Sequence, residues 1–213
     1  MKREEAIESL NIPQPYIHCP FTNSANDIYG HLTWDNVVNL TYGNDGAVFN
    51  GSSSMLRSRN RITAGKIKTF VYYVKFNVIP TDGVSSTWQA THFFMGNNNS
   101  QNAMFGMLQH YQAENDELTN TIRAGSWTST VLSTPYGSTQ TGRWYKIIVR
   151  KNQNTTDLYI DNYHTTSNYI FNDSWNMDMF LGTNIAFERY LNGNIKDLMV
   201  WDIPLTDEQI ALL

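Results

Sequence analysis

The chain has 213 residues, 41% of them hydrophobic, 13% aromatic and only 16% charged. That content supplies a packed core and excludes wholesale disorder, while 15 basic against 19 acidic side chains, a net charge of −4, argue against a phosphate-binding surface and a nucleic-acid partner. Cys19 is the only cysteine, so neither an intrachain disulfide nor a thiolate metal cluster can form, and no apolar run approaches the roughly 18 residues of a membrane span.

In chain order, the charged opening Met1–Glu5 has no apolar run behind it and does not read as a secretory signal, so a chain made in the cytoplasm is expected. The spacing predicts a short helix over Lys2–Leu10, with Ala6, Ile7 and Leu10 on its apolar side, closed before Asn11 and Pro13. Residues 1–15 are therefore read as an N-terminal arm and residues 16–213 as a single domain. A helix this short is marginal alone, so the arm is expected to serve attachment, as in a homo-oligomer or a virion assembly. Beyond it, 24 Asn, 21 Thr and 15 Ser favour turns and strands over helices. In Thr69–Val78, the residues Phe70, Tyr72, Val74, Phe76 and Val78 share one face at period two. Ala103–Tyr111, Trp144–Lys151, Thr156–Ile160, Met177–Leu181 and Asn194–Trp201 read as further strands. Asn44-Asp45-Gly46, Asn97–Ser100, Tyr136-Gly137-Ser138, Asn152-Gln153-Asn154 and Asn192-Gly193-Asn194 carry turn chemistry between them. Thr206-Asp207-Glu208-Gln209 is a capping box opening a short C-terminal helix. The expected fold is all-β: a two-sheet antiparallel jelly-roll sandwich with one short helix at each end.

Several segments fall in a recognisable order. Phe21 is followed by Asp27-Ile28-Tyr29-Gly30, then by Ala47-Val48-Phe49-Asn50-Gly51 and the long strand Thr69–Lys75. Trp144–Val149 faces Leu158-Tyr159-Ile160-Asp161, and Leu181-Gly182, Leu191–Asp197 and Trp201 close the series. Together they resemble a laminin-G-like domain of the concanavalin A-like lectin/glucanase superfamily, over about residues 16–213. The resemblance implies that the first and last strands are neighbours, so that Asp27 and Asp197 meet where relatives can bind calcium. Two departures stand out: Asn162 replaces the usual Gly after Asp161, a neutral exchange in a turn, and Lys196 replaces the first Asp of an I-D-D stretch, removing one carboxylate. The competing reading is that Asp27 closes an Asx-type turn and Asp197 pairs with a cation.

Function must be argued from sites, because such folds host binders and enzymes alike. Relatives that cleave β-glucans carry E-x-D-x-E or E-x-D-x-x-E on one strand. The nearest approach, Glu114-Asn115-Asp116-Glu117-Leu118-Thr119, puts Leu118 and Thr119 where the last Glu is required and reads as a solvated acidic loop. The histidines, His18, His31, His92, His110 and His164, are scattered without ligand spacing. An enzyme is therefore not expected, and calcium at Asp27 and Asp197 is the one cofactor the resemblance offers. Trp88, Trp127, Tyr136 and Trp175 fall in expected loops or loop edges, where rings can stack on sugar faces while Asn98 and Gln101 read hydroxyls. Trp144 and Trp201 are assigned to the core. The reading is a non-catalytic binding or adhesion module recognising glycans or a protein partner, as a surface, fibre or tail component of a phage virion, acting at a virion or extracellular surface. A carbohydrate-binding module of a secreted bacterial protein and a degenerate glycoside hydrolase are the alternatives.

Overall fold

Strand alternation sets which side chains meet across this molecule. The computed structural model describes residues 11–58, 62–78, 87–96, 107–113, 121–126, 129–133, 139–168, 176–184, 187 and 189–213; the expected helix Lys2–Leu10 lies outside them. The strands are β1 (Ile17–Cys19), β2 (Trp34–Val38), β3 (Thr41–Gly43), β4 (Gly46–Asn50), β5 (Met55–Ser58), β6 (Ile62–Thr63), β7 (Thr69–Phe76) and β8 (Thr87–Gly96). They continue as β9 (Met107–Ala113), β10 (Thr121–Ser126), β11 (Ser129–Ser133), β12 (Trp144–Lys151), β13 (Thr156–Ile160), β14 (Tyr163–Ser167), β15 (Asn176–Leu181) and β16 (Asn192–Trp201). A single described α-helix, α1 (Asp207–Leu212), follows Thr206, whose side chain caps the Gln209 N–H while Gln209 returns a bond to the Thr206 backbone.

Two antiparallel sheets form the sandwich. The first runs β14-β13-β12-β7-β16-β4-β3, with β1 also on β16; the second runs β11-β10-β9-β8-β15-β5-β2, with β6 also on β15. Period-two side chains of β7, Phe70, Tyr72, Val74 and Phe76, are fully buried between them, and Phe70 stacks on Phe93 of the facing sheet at 4.5 Å. The expected continuation to Val78 stops at Phe76, and Val78 is half-exposed. Asn192-Gly193-Asn194, expected as a turn, opens β16 instead. Gly193 lies so close to β7 that a Cβ there would meet the Lys75 carbonyl oxygen at 2.2 Å, so this glycine serves close backbone approach.

The other face of the first sheet is covered over part of its width. Pairing of β16 with β7 shifts between Lys196 and Met199, where Asp197 adopts φ 53°. That extra residue reverses the alternation, so Ile195, Leu198 and Val200 face inward while Met199 and Trp201 face outward. Met199, Trp201, Val71 and Ile148 are roofed by Leu205, by Ile210 of α1 and by Ile12. Asn11–Pro15, placed with the arm by sequence, thus packs on the sheet. The Trp201 indole donates to the Pro13 carbonyl at 2.6 Å and Gln209 donates to the Asn11 carbonyl at 3.3 Å. Burying Ile12 to 5% exposure contributes on the order of 2 kcal/mol.

Candidate ligand-binding cleft

The pair expected to hold calcium is built for another purpose. Asp27 Oδ1 accepts from the His18 and Tyr29 backbone N–H groups at 2.8 and 3.2 Å, and Oδ2 from those of His31 and Leu32 at 2.7 and 2.9 Å. A carboxylate offers about four lone-pair sites, and these donors use all of them, so none is left for a cation. The buried Asp27 is instead a clasp that ties the turn ending at Gly30 (φ 77°) to β1. Asp197 does come near, as the neighbouring first and last strands require. Its Oδ1 lies 3.9 Å from Nε2 of His18, the residue whose N–H Asp27 holds. Among the described residues no three His, Cys, Asp or Glu side chains gather in a metal-binding cluster. The residues present do not fit a calcium ion at Asp27, and the Asx-type turn is what the carboxylate makes.

Of the aromatic candidates, Trp88 sits in β8, one residue inside the strand and opposite Gln112. Trp127, Tyr136, Trp175, Asn98 and Gln101 lie outside the described residues, as does the acidic stretch Glu114–Thr119. Trp201 is core at 1% exposure, but Trp144 is not: it is only partly buried on the outer face of the first sheet, with the Lys196 and Lys75 ammonium groups 4.3 and 4.9 Å from its ring centroid. As the first residue of β12, it shares the outer parity of Lys146 and Ile148, whereas Tyr145 and Ile147 point into the core.

Beside the roof formed by α1, the outer face of β12, β13 and β14 opens into a cleft of about 400 Å³ lined by Lys146, Tyr159, Asp161, His164, Asp207 and Ile210. Its floor is a parallel stack: the Tyr159 and His164 rings are 4.1 Å apart and inclined by 3°. Both lie on one face because the two-residue turn Asp161-Asn162 pairs Ile160 with Tyr163 and therefore Tyr159 with His164. Asp161, at φ 53°, accepts from the Lys146 N–H at 2.9 Å and from the Arg143 guanidinium at 2.6 Å, which fixes its carboxylate at the rim.

Arg150 locks the other wall. Its guanidinium donates to Asp157 at 2.9 Å, to Asp207 at 2.6 Å, to the Leu205 carbonyl at 3.0 Å and to the Tyr159 hydroxyl at 2.8 Å. One buried cation thereby joins β12 and β13 to the first turn of α1. Hydrogen bonding to Arg150 and its charge hold the exposed Asp207 carboxyl below the usual carboxylate range, so it is an acceptor at neutral pH. Burial above all pushes the Tyr159 phenol up to about 12, keeping it protonated. The cleft offers aromatic rings, two carboxylate acceptors and the Lys146 ammonium, a set suited to holding a polyhydroxylated ligand by C–H stacking and hydrogen bonds. Sequence reasoning missed these residues by looking to loops. The signal was present in the alternation of Lys146, Ile148 and Arg150 against Asp157 and Tyr159, whose polar members mark an outer face.

A two-sheet jelly roll with a polar cleft on one outer face is the architecture of a lectin-like domain. Residues 50–211 match the laminin-G family model of the concanavalin A-like lectin/glucanases superfamily, and the chain belongs to that superfamily. Among solved structures, it is similar to Trypanosoma rangeli sialidase in complex with sialic acid, with a TM-score of 0.68 and 13% identity over 99% of this chain and 37% of the sialidase. A T. rangeli sialidase bound to 2,3-difluoro-KDN matches with a TM-score of 0.68 and 15% identity over 91% of this chain and 31% of that one. Domain 4 of a GH43 extracellular arabinanase from Geobacillus stearothermophilus, in complex with arabinotriose, matches with a TM-score of 0.63 and 20% identity over 93% of this chain and 98% of that domain. The chain spans about a third of the length of the sialidases it matches, and no curated protein sequence matches it. These matches correct the expectation that the chain is not an enzyme. About a third of a sialidase and one domain of an arabinanase share its fold, so the missing E-x-D-x-E strand does not by itself exclude an enzyme. At these identities the likeness shows the fold and assigns no activity.

Proposed function

We propose that this domain binds glycans, and that the ligand lies in the cleft on the outer face of β12–β14. The observation that carries the reading is the Tyr159–His164 stack, 4.1 Å apart and nearly coplanar, set between the Asp161 and Asp207 carboxylates in an open cleft. Membership of a lectin and glucanase superfamily and the likeness to an arabinanase domain bound to arabinotriose support it. A carbohydrate-binding module acting outside the cell, or at a virion surface, is the setting that suits such a ligand. Trp88, Trp127, Tyr136, Trp175, Asn98 and Gln101 are the alternative contacts for the same ligand class.

Affinity electrophoresis and calorimetry against a polysaccharide panel that includes arabinan test this, with hydrolysis products assayed in parallel. His164→Ala should weaken binding about three- to tenfold, the worth of one stacked ring, with little change in melting temperature because the His164 side chain is 45% exposed. Unchanged binding in His164→Ala together with loss in Trp127→Ala or Trp175→Ala would move the site to the loops. Failure of the whole panel to bind would end the glycan reading.

A further inference from the structure

The outer face of the first sheet continues past the cleft, and its chemistry changes there. Strand pairing sets Lys196 of β16 beside Tyr73 of β7, and Tyr73 beside Lys146 of β12. The next pairing outward puts Lys75 beside Trp144. Asp161 stands at the far end, its N–H bonded to the Lys146 carbonyl. The row therefore crosses β16, β7, β12 and the end of β13, about 14 Å at the usual strand spacing.

Three ammonium groups lie along this row in a chain whose net charge is −4. Lys75 pairs with Asp45 at 3.0 Å. Lys146 and Lys196 have no ion-pair partner among the described residues. The Lys196 and Lys75 nitrogens are nevertheless drawn to one ring, 4.3 and 4.9 Å from the Trp144 centroid, and Lys196 is also 5.8 Å from the Tyr73 centroid. An indole attracts each cation through its ring face but leaves its charge in place. An anion supplies the partner that Lys146 and Lys196 lack among the described residues, and the Trp144 and Tyr73 rings have already restricted the Lys196 side chain that would bind it.

We propose that the glycan is acidic: it runs from the Tyr159–His164 stack across Tyr73, and Lys146, Lys196 and Lys75 hold its negatively charged groups, carboxylate or sulfate ester. This rests on the glycan-binding reading of the neighbouring cleft and narrows its ligand class. Trp144 is a positioning residue here, setting the two ammonium groups rather than stacking on sugar.

The test uses polygalacturonate and alginate, each beside its carboxyl-reduced form, and carrageenan beside its desulfated form, in affinity electrophoresis with the full chain. Retention should be on the order of tenfold stronger on at least one acidic polymer than on its neutral counterpart, and should weaken as salt rises from 50 to 500 mM. Which pair shows the difference identifies the carboxylate or the sulfate as the source of charge. The double variant K75Q/K196Q should lose that difference while its retention on the neutral form stays the same; K196E alone serves if the double variant does not fold. Equal retention on acidic and neutral forms, reduced by His164→Ala but not by the lysine variants, overturns the acidic-glycan inference and leaves the cleft standing. Retention on neither form overturns both.

Discussion

Replacing Asp27 by Ala should cost more stability than removal of any single surface ion pair. The carboxylate accepts four backbone N–H groups at 2.7 to 3.2 Å, two of them in buried surroundings. Each buried donor left without an acceptor costs about 1–3 kcal/mol. With the two partly exposed donors rescued by water, the expected loss is about 3–5 kcal/mol. At roughly 2–4 °C per kcal/mol for a chain of this size, melting should fall by about 6–20 °C. Asp27→Asn, which keeps one acceptor oxygen, should lose about half as much. Circular-dichroism melts of the three proteins, each with calcium and with EDTA, decide the matter. A loss below about 1 kcal/mol for Asp27→Ala would refute the clasp. So would a calcium-dependent rise in the wild-type melting temperature that Asp27→Ala abolishes, because it would show that the carboxylate has room for a metal.

Other consequences follow from single contacts. Ile12→Ala should destabilise by about 2–4 kcal/mol in denaturant unfolding, since it opens the roof over Trp201, whereas deleting residues 1–10 should leave that contact intact. Gly182→Ala should be severely destabilising in the same assay, because φ is 80° and a Cβ would meet the Phe49 ring at 2.2 Å. Burial, aided by the charge of Lys68, lowers the Lys151 pKa to about 8 from 10.5. Between those values the unfolded chain holds a proton that the folded chain has released, so stability should rise as pH climbs from about 8 to 10.5. Lys151→Met should flatten that slope, and a slope unchanged in the variant would assign the effect to another group.

Much of the architecture was legible in local pattern. The capping box at Thr206 and the segments Trp144–Lys151 and Thr156–Ile160 appear in the structure with the bounds their residues suggest, and the period-two run from Phe70 appears but ends at Phe76, because alternation and end-capping depend only on neighbours along the chain. Even the Tyr159–His164 stack was implicit, since a two-residue turn at Asp161-Asn162 fixes their register. What no local pattern could supply is which outer-face residues are roofed and which stay open. That was decided by the bulge at Asp197, which reverses the alternation of β16, and by the docking of Ile12 and Ile210 from opposite ends of the chain. These long-range contacts bury Trp201 and leave Trp144 outside, though both are tryptophans at the end of a strand. Asp27 shows the same division. Its sequence suits a metal ligand and a turn equally well, and only the convergence of four N–H groups from residues 18 to 32 fills its lone pairs and makes it a clasp.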